Sequence, residues 1–198
     1  MKVTIFDYGA GNLHSLAKAI AAAGVAPAIE PDPIRAVQTD VLVLPGVGAF
    51  GPAAERMAAG RAAMRAALLG GVPCLGICLG LQLLFEGSEE GPGQGLGVIE
   101  GRVTRIAARR LPQIGWNDLE DVTEPTVIEA GLATGYYANS FVGRPADPAR
   151  VGAWSRYHDD RFPAVVRSGR TLGIQFHPEK SSAPGLRLIE AFLEASRS

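Results

Sequence analysis

Short apolar runs alternate with segments of helical periodicity in the first half of the chain. The runs, each of strand length, are residues 3–6, 26–29, 41–44 and 72–77. Helices are predicted between them at residues 13 to about 23, 50–59 and 61–69. Strands that are apolar at every position and alternate with helices are typical of a parallel sheet covered on both faces.

The second half of the chain has a different pattern. A glycine-rich connection at residues 87–97 leads to short predicted strands at residues 101–106, 126–128, 136–141, 151–155, 162–167 and 171–176. We interpret them mainly as antiparallel hairpins that extend the same sheet, followed by a helix from residue 184 to about 196. The predicted fold is α/β, a flavodoxin-like three-layer αβα sandwich whose mostly parallel central sheet carries antiparallel strands, in one domain of residues 1–198.

Composition narrows the function classes. The 198 residues carry a net charge of -1, which gives no electrostatic argument for binding nucleic acid or a membrane surface. Cys74 and Cys78 have no nearby ligands that would complete a metal site, and we expect no metal or cofactor. A carboxylate at Asp7 comes too early for a signal peptide, and no apolar run reaches membrane-spanning length, so we expect a cytoplasmic protein.

The strongest candidate chemistry lies at residues 72–86. There a strand pattern passes through Gly76-Ile77-Cys78-Leu79-Gly80 into a helical pattern, which is a nucleophile elbow with cysteine as the central residue. Glycine is required on both sides because a sharp turn brings backbone close to both positions. A helix N-terminus at Cys78 would favour its reactive thiolate form. The alternative is an ordinary buried cysteine.

A base for this nucleophile is available at His177. Alternate residues of an extended segment face the same side, so His177 and Glu179 should point together, and the carboxylate would orient the imidazole. Taken singly, each could be structural. Gly46 and Gly48 form a turn after another strand that could aim backbone N–H groups at an oxyanion, with the Leu79 N–H as a second donor. As an alternative, the two glycines could merely form a tight turn.

Nucleotide binding is disfavoured, because the third glycine of a dinucleotide fingerprint would have to stand where the chain has His14. The parallel topology instead brings the loops at residues 8–12, 45–49 and 78–80 to one edge of the sheet.

Together these residues resemble the triad glutamine amidotransferases. The resemblance spans the chain and rests on residues 45–50, 76–82, 115–117 and 175–181. Within that superfamily the chain looks most like the glutaminase subunits of imidazole glycerol phosphate synthase, on residues 7–12, 115–117 and the pair Tyr136-Tyr137. The glutaminases of pyridoxal phosphate synthesis are disfavoured, because their Gly-Gly-Glu-Ser-Thr block is absent near Gly46.

The resemblance implies glutamine hydrolysis through a thioester on Cys78, with His177 as base and Glu179 as its partner. It further implies oxyanion donors at Val47 and Leu79, and ammonia delivery to a (β/α)8 barrel cyclase in histidine biosynthesis. The substrate contacts would be Gly46, Gly48, Gln82, Ser140 and Phe141. The candidates for the partner interface and for coupling between sites are Asn12, Trp116, Tyr136 and Lys180.

Two residues depart from the family pattern, since Gln113 and Asn139 stand where it usually has histidine. The family glutaminases are nearly silent alone, and we hypothesise that the Gly46-Val47-Gly48 peptide rotates when the partner binds. Three alternatives remain: a glutaminase of another pathway such as anthranilate or guanylate synthesis, a cysteine peptidase or esterase, and a non-catalytic regulatory module.

Overall fold

The computed structural model describes residues 1–9 and 13–197. Its helices are α1 (His14–Ala22), α2 (Pro33–Ala36), α3 (Phe50–Met57), α4 (Arg61–Leu69), α5 (Leu79–Leu83), α6 (Pro125–Ala130) and α7 (Ser182–Ala195). Its strands are β1 (Val3–Phe6), β2 (Ala28–Glu30), β3 (Val41–Leu44), β4 (Cys74–Ile77), β5 (Gly87–Ser88), β6 (Gly101–Arg105), β7 (Gln113–Asp118), β8 (Thr134–Asn139), β9 (Phe141–Pro145), β10 (Val151–Tyr157), β11 (Asp160–Ser168) and β12 (Thr171–Ile174). No helix in these residues has the length and apolar character needed to cross a membrane.

Seven strands form the central sheet, in the order β10-β11-β12-β4-β3-β1-β2. The pairs from β12 to β2 are parallel, and β11 and β10 continue the sheet as antiparallel strands. Side chains of β3 alternate between two buried clusters: Val41 and Val43 face the cluster containing α1 and α7, and Leu42 and Leu44 face the one containing α3 and α4. The predicted three-layer αβα class is therefore confirmed.

The prediction that the later strands extend this sheet is wrong for the predicted strands at residues 101–106 and 136–141. Strands β5, β6 and β9 form a separate three-stranded sheet, and β7 pairs with β8 as a two-stranded ribbon. Because β11 and β10 already occupy the sheet edge beyond β12, the preceding strands pair with one another instead. The predicted strand at residues 136–141 is also two strands, which change partners at Ser140.

Two further elements differ from the sequence prediction. The β-branched run at residues 126–128 was predicted as a strand but lies in α6, where Pro125 occupies the first turn and the Glu124 carboxylate accepts the Thr126 N–H. A proline that pre-sets helical φ and a capping carboxylate outweigh the strand preference of the run. Strand β7 has no counterpart among the predictions.

The parallel strands place three segments at one edge of the sheet. The turn at residues 45–49 follows β3, Cys78 follows β4, and residues 175–177 follow β12. Since β4 lies between β3 and β12, Cys78 stands between the other two segments. Residues 10–12 after β1, among them Asn12, lie outside the described residues.

Candidate active site

Cys78 occupies a strained turn between β4 and α5. Its φ of 47° and ψ of -101° are conformations that residues other than glycine rarely adopt. The Cys78 N–H donates to the carbonyl of Ile174 at 2.7 Å, which ties the turn to β12. Packing on neighbouring strands therefore holds the thiol in a geometry that the local chain would not choose alone.

The two glycines around Cys78 are required by close backbone approach. A Cβ at Gly80 would lie 2.0 Å from the carbonyl oxygen of Leu44 in β3. A Cβ at Gly76 would lie 2.9 Å from the backbone of Gly80 and from the Leu84 side chain. The steric reason inferred from the sequence pattern is therefore present in the structure.

His177 lies beside Cys78 and is hydrogen-bonded to Glu179. The His177 Nδ1 and the Glu179 Oε1 are 2.9 Å apart, with side-chain exposures of 3% and 8%. Burial lowers the pKa of His177, but hydrogen bonds to Cys78 and Glu179 outweigh this effect and raise the pKa from 6.5 to about 9. The imidazole is thus a strong proton acceptor in contact with the thiol.

The contact between His177 and Glu179 has a different backbone origin from the one predicted. Strand β12 ends at Ile174, and Pro178–Lys180 form a single 3₁₀ turn instead of an extended segment. The Ser181 hydroxyl donates to the His177 carbonyl at 2.6 Å and accepts the Tyr136 N–H at 2.9 Å. This turn folds the carboxylate back toward the ring.

The turn at residues 45–49 packs directly against His177 and Ile77. A Cβ at Gly46 would lie 2.9 Å from the Cε1 atom of His177 and 3.0 Å from the Ile77 side chain. Gly48 has a φ of 117°, which favours glycine. Both positions therefore need glycine where the sequence analysis placed a candidate oxyanion turn.

A cavity of about 340 Å³ opens at Cys78. It is lined by ten predicted site residues: Gly46, Val47, Gly48, Cys78, Leu79, Gln82, Ser140, Phe141, His177 and Lys180. Glu179 lies behind His177.

Of the remaining predictions, Trp116 and Tyr136 meet edge to face at 6.1 Å outside this lining, with the Lys180 Nζ 6.0 Å from the Tyr136 ring. A larger cavity of about 730 Å³ contains Asp40 and Arg170, away from the cysteine.

Sequence reasoning missed two polar residues at this site. The Gln175 Nε2 lies 3.5 Å from the Cys78 sulfur, and the side chain is fully buried. The only local sign of this role in the sequence is that Gln175 is a single amide side chain within an otherwise largely apolar run. Glu90 lines the cavity, and its carboxylate accepts the Phe50 N–H at 2.9 Å. It comes from the glycine-rich connection, where no local pattern marks it.

Two side-chain amides converge on the backbone of β9. The Gln82 Nε2 and the Asn139 Nδ2 both donate to the Phe141 carbonyl, at 2.9 and 3.0 Å. These bonds fix one wall of the cavity relative to α5.

Comparison with known proteins agrees with this site. The family described as glutamine amidotransferase class-I matches residues 4–195. The imidazole glycerol phosphate synthase subunit HisH of Symbiobacterium thermophilum is 45% identical over 195 residues, covering 95% of this chain and 91% of that protein. The subunit of the same name from a strain of Thermus thermophilus is 43% identical over 205 residues, covering 100% and 97%.

Solved structures share the fold. A glutamine amidotransferase crystal structure superposes with a TM-score of 0.78 at 24% identity over the whole of both chains. The structure of PurLQS from Thermotoga maritima gives 0.72 at 20% identity, covering 98% of this chain and 98% of that one. The chain therefore belongs to the class-I glutamine amidotransferase family and, within it, to the imidazole glycerol phosphate synthase HisH subunits.

Proposed function

We propose that this chain is a glutaminase subunit that hydrolyses L-glutamine to glutamate and ammonia. The ammonia passes to a (β/α)8 barrel cyclase, which makes imidazole glycerol phosphate and aminoimidazole carboxamide ribotide in histidine biosynthesis. The observation that carries the proposal is that Cys78 and His177 line one cavity and are hydrogen-bonded, while His177 is in turn hydrogen-bonded to Glu179. Relatives at 36–45% identity are named as subunits of this synthase.

In the proposed reaction, His177 takes the thiol proton and the Cys78 sulfur attacks the side-chain amide carbon of glutamine. The C–S bond forms as the carbonyl electron pair moves onto oxygen, which receives N–H donors from Val47 and Leu79. His177 returns the proton to the amide nitrogen, the C–N bond breaks, and ammonia leaves a thioester. Water, deprotonated by His177, then releases glutamate and restores the thiol.

Substrate would be held by groups of opposite charge and by amides. We assign Gly46, Gly48, Gln82 and the Ser140-Phe141 backbone to glutamine contacts. Glu90 is the carboxylate in this cavity best placed to meet the substrate α-ammonium, since it sits on the wall beside the 45–49 turn.

The partner would dock against the outer face of the β7–β8 ribbon. Ile114 and Trp116 are 67% and 55% exposed there, and the Tyr136 ring meets Trp116 edge to face. Exposed aromatic residues of this kind are enriched at interfaces. Lys180 joins this face to the cavity, and Asn12 is assigned to the same interface from the sequence alone.

The test is glutamate release by the chain alone, with the cyclase, and with the cyclase and its ligand. Cys78→Ser should reduce release by on the order of 1000-fold or more, while cyclase activity driven by added ammonium salts persists. The matched control is Cys74→Ser, a buried cysteine in the preceding strand β4 and outside the cavity lining. Equal losses in both variants, or release that the cyclase never stimulates, would refute the proposal.

A further inference from the structure

We propose that the side-chain amides of Gln113 and Asn139 form a binding site for the ammonia molecule released at Cys78. The site would hold ammonia between the nucleophile and the partner-facing side of the β7–β8 ribbon. This inference rests on the proposed function, because it requires ammonia as the product.

The two amides are neighbours in the structure. Gln113 begins β7 and Asn139 ends β8, and they are directly paired in the antiparallel register. Directly paired residues on antiparallel strands project to the same side at short separation. Their exposures are 3% and 6%, so both side chains face inward.

Both amide oxygens lack a hydrogen-bond partner among the described residues. The orientation of Asn139 is set by its other end, since its Nδ2 donates to the Phe141 carbonyl at 3.0 Å. Buried carbonyl oxygens are nearly always hydrogen-bonded, so a pair without partners indicates a place for a bound donor. An amide oxygen only accepts, so the ligand must supply N–H or O–H groups.

Ammonia fits these acceptors better than the charged end of the substrate. Ammonia is neutral and has enough N–H donors for both oxygens; a water molecule could also supply two donors, and the product ratio measured below distinguishes these two ligands. The α-ammonium of glutamine is a cation and has the Glu90 carboxylate in the same cavity. The amide pair is neutral, and the Lys180 ammonium in the cavity lining disfavours a second cation nearby. An uncharged acceptor pair beside the Lys180 ammonium therefore favours the protonated form, which is not nucleophilic, less than a carboxylate would.

The pair also lies in the direction that the product must take. Asn139 lines the cavity together with Cys78, and so do Ala138, which precedes Asn139, and Pro112, which precedes Gln113. Gln113 is paired across the ribbon from Asn139, and Ile114 on the opposite face of β7 is 67% exposed. Ammonia leaving the nucleophile toward the proposed partner would meet Asn139 in the cavity lining first, and then Gln113, which is paired with Asn139 just behind that lining.

The test uses the complex with the cyclase and its ligand, and measures imidazole glycerol phosphate formed per glutamate released. Gln113→Met removes the acceptor and keeps the side-chain length, and it should reduce this ratio about fivefold, the factor expected from one ordinary hydrogen bond. Glutamate release and the KM for glutamine should stay within about twofold of wild type, as should synthesis driven by added ammonium chloride. Gln113→His retains a ring nitrogen acceptor and should preserve the ratio.

The control for the same chemical change is Gln38→Met, at an exposed position remote from the cavity, which should behave as wild type. Asn139→Leu provides a second variant, in which the ratio must also fall. An unchanged ratio in Gln113→Met and Asn139→Leu would overturn the inference, as would a raised KM for glutamine at an unchanged ratio, because the amides would then bind substrate. Failure of the proposed function itself would differ, since wild type would release no glutamate.

Discussion

The pKa of His177 is set by its burial and by its two hydrogen-bond partners. Burial alone would lower the pKa of His177, but hydrogen bonds to Cys78 and Glu179 raise it from 6.5 to about 9. A raised pKa means that the folded state holds the proton more tightly than the unfolded chain. The protonated His177 therefore stabilises the fold fully below pH 6.5, and the stabilisation is lost as the pH rises through about 9.

Glu179→Gln tests this pair. Loss of the carboxylate lowers the pKa of His177, so the variant should lose less stability than wild type between about pH 6 and about pH 10, as measured by urea unfolding. Glutamine hydrolysis should also fall by on the order of 100-fold or more, because the ring loses the group that orients it. Glu190→Gln, on the exposed side of α7, should follow wild type in both measurements. Identical pH profiles for Glu179→Gln and wild type would contradict this account.

The residues of the candidate site differ in whether the sequence alone could identify them. Cys78 was found because its flanking glycines encode the turn locally, and His177 because Glu179 stands two residues away. Gln175 and Glu90 reach the same site through β12 and through a long connection, and their own neighbours in sequence carry no sign of it. A side chain whose role depends on distant packing has no local signature.

At the scale of elements, the elbow is the most constrained junction. A methyl group at Gly80 would collide with the Leu44 carbonyl oxygen, a backbone atom inside the sheet. We expect Gly80→Ala to lower the free energy of unfolding by about 3 kcal/mol or more, as severe overpacking does. Gly87→Ala, whose new Cβ approaches no atom closer than 3.8 Å, should change it by less than about 0.5 kcal/mol. Chemical denaturation of both variants measures this, and equal stabilities would disprove the steric account.

Helix α6 is anchored to the central sheet by a partly buried ion pair, in which the Glu124 side chain is 4% and the Arg167 side chain 33% exposed. The Arg167 Nε donates to Glu124 Oε2 at 2.8 Å, and the Thr126 hydroxyl donates to Glu124 Oε1 at 2.7 Å. Burial raises the pKa of Glu124, but the bonds from Arg167 and Thr126 together lower it below its usual 4.5. The stabilisation is therefore present above pH 4.5 and is lost as the pH falls through the lowered pKa.

We expect Glu124→Gln to lower the free energy of unfolding by about 3 kcal/mol at neutral pH, because it leaves a partly buried guanidinium without its partner. The deficit should shrink as the pH falls below 4.5, where the wild-type carboxyl also becomes neutral. Glu129→Gln, exposed on the same helix, serves as the control. Urea titrations at several pH values measure the difference, and a deficit independent of pH would exclude the ion pair as its cause.

Elements whose pattern is local were predicted well. Strands β1 and β3 and helix α4 have the predicted bounds, because apolar runs and helical periodicity report directly on burial. Helix α6 was predicted as a strand because its β-branched residues were given more weight than Pro125 and the capping carboxylate of Glu124, which favour a helix. Strand β7 was missed because only one of its faces is buried, and its outer face carries Ile114 and Trp116.

At the scale of the whole molecule, the outer face of the β7–β8 ribbon is the predicted contact with the cyclase. Trp116→Ala should weaken cyclase binding by about 2 kcal/mol or more, roughly 30-fold in Kd, as loss of an aromatic anchor does. Its unfolding free energy should change by less than about 0.5 kcal/mol, because the side chain is 55% exposed. Ile128→Ala, 60% exposed on α6, is the control, and calorimetric titration measures both. Equal affinity for both variants would place the interface elsewhere.

The sequence by itself determined the alternation of apolar strands with helices, the glycine-flanked cysteine and the adjacent His177 and Glu179. These features depend on residues close together in the chain, and their physics is local. Only the tertiary structure decided that β12 lies beside β4, which brings His177 to Cys78 from a distant part of the sequence. It also decided how the later strands divide among three sheets and which polar groups face the cavity, because strand pairing and burial depend on partners that no local pattern specifies.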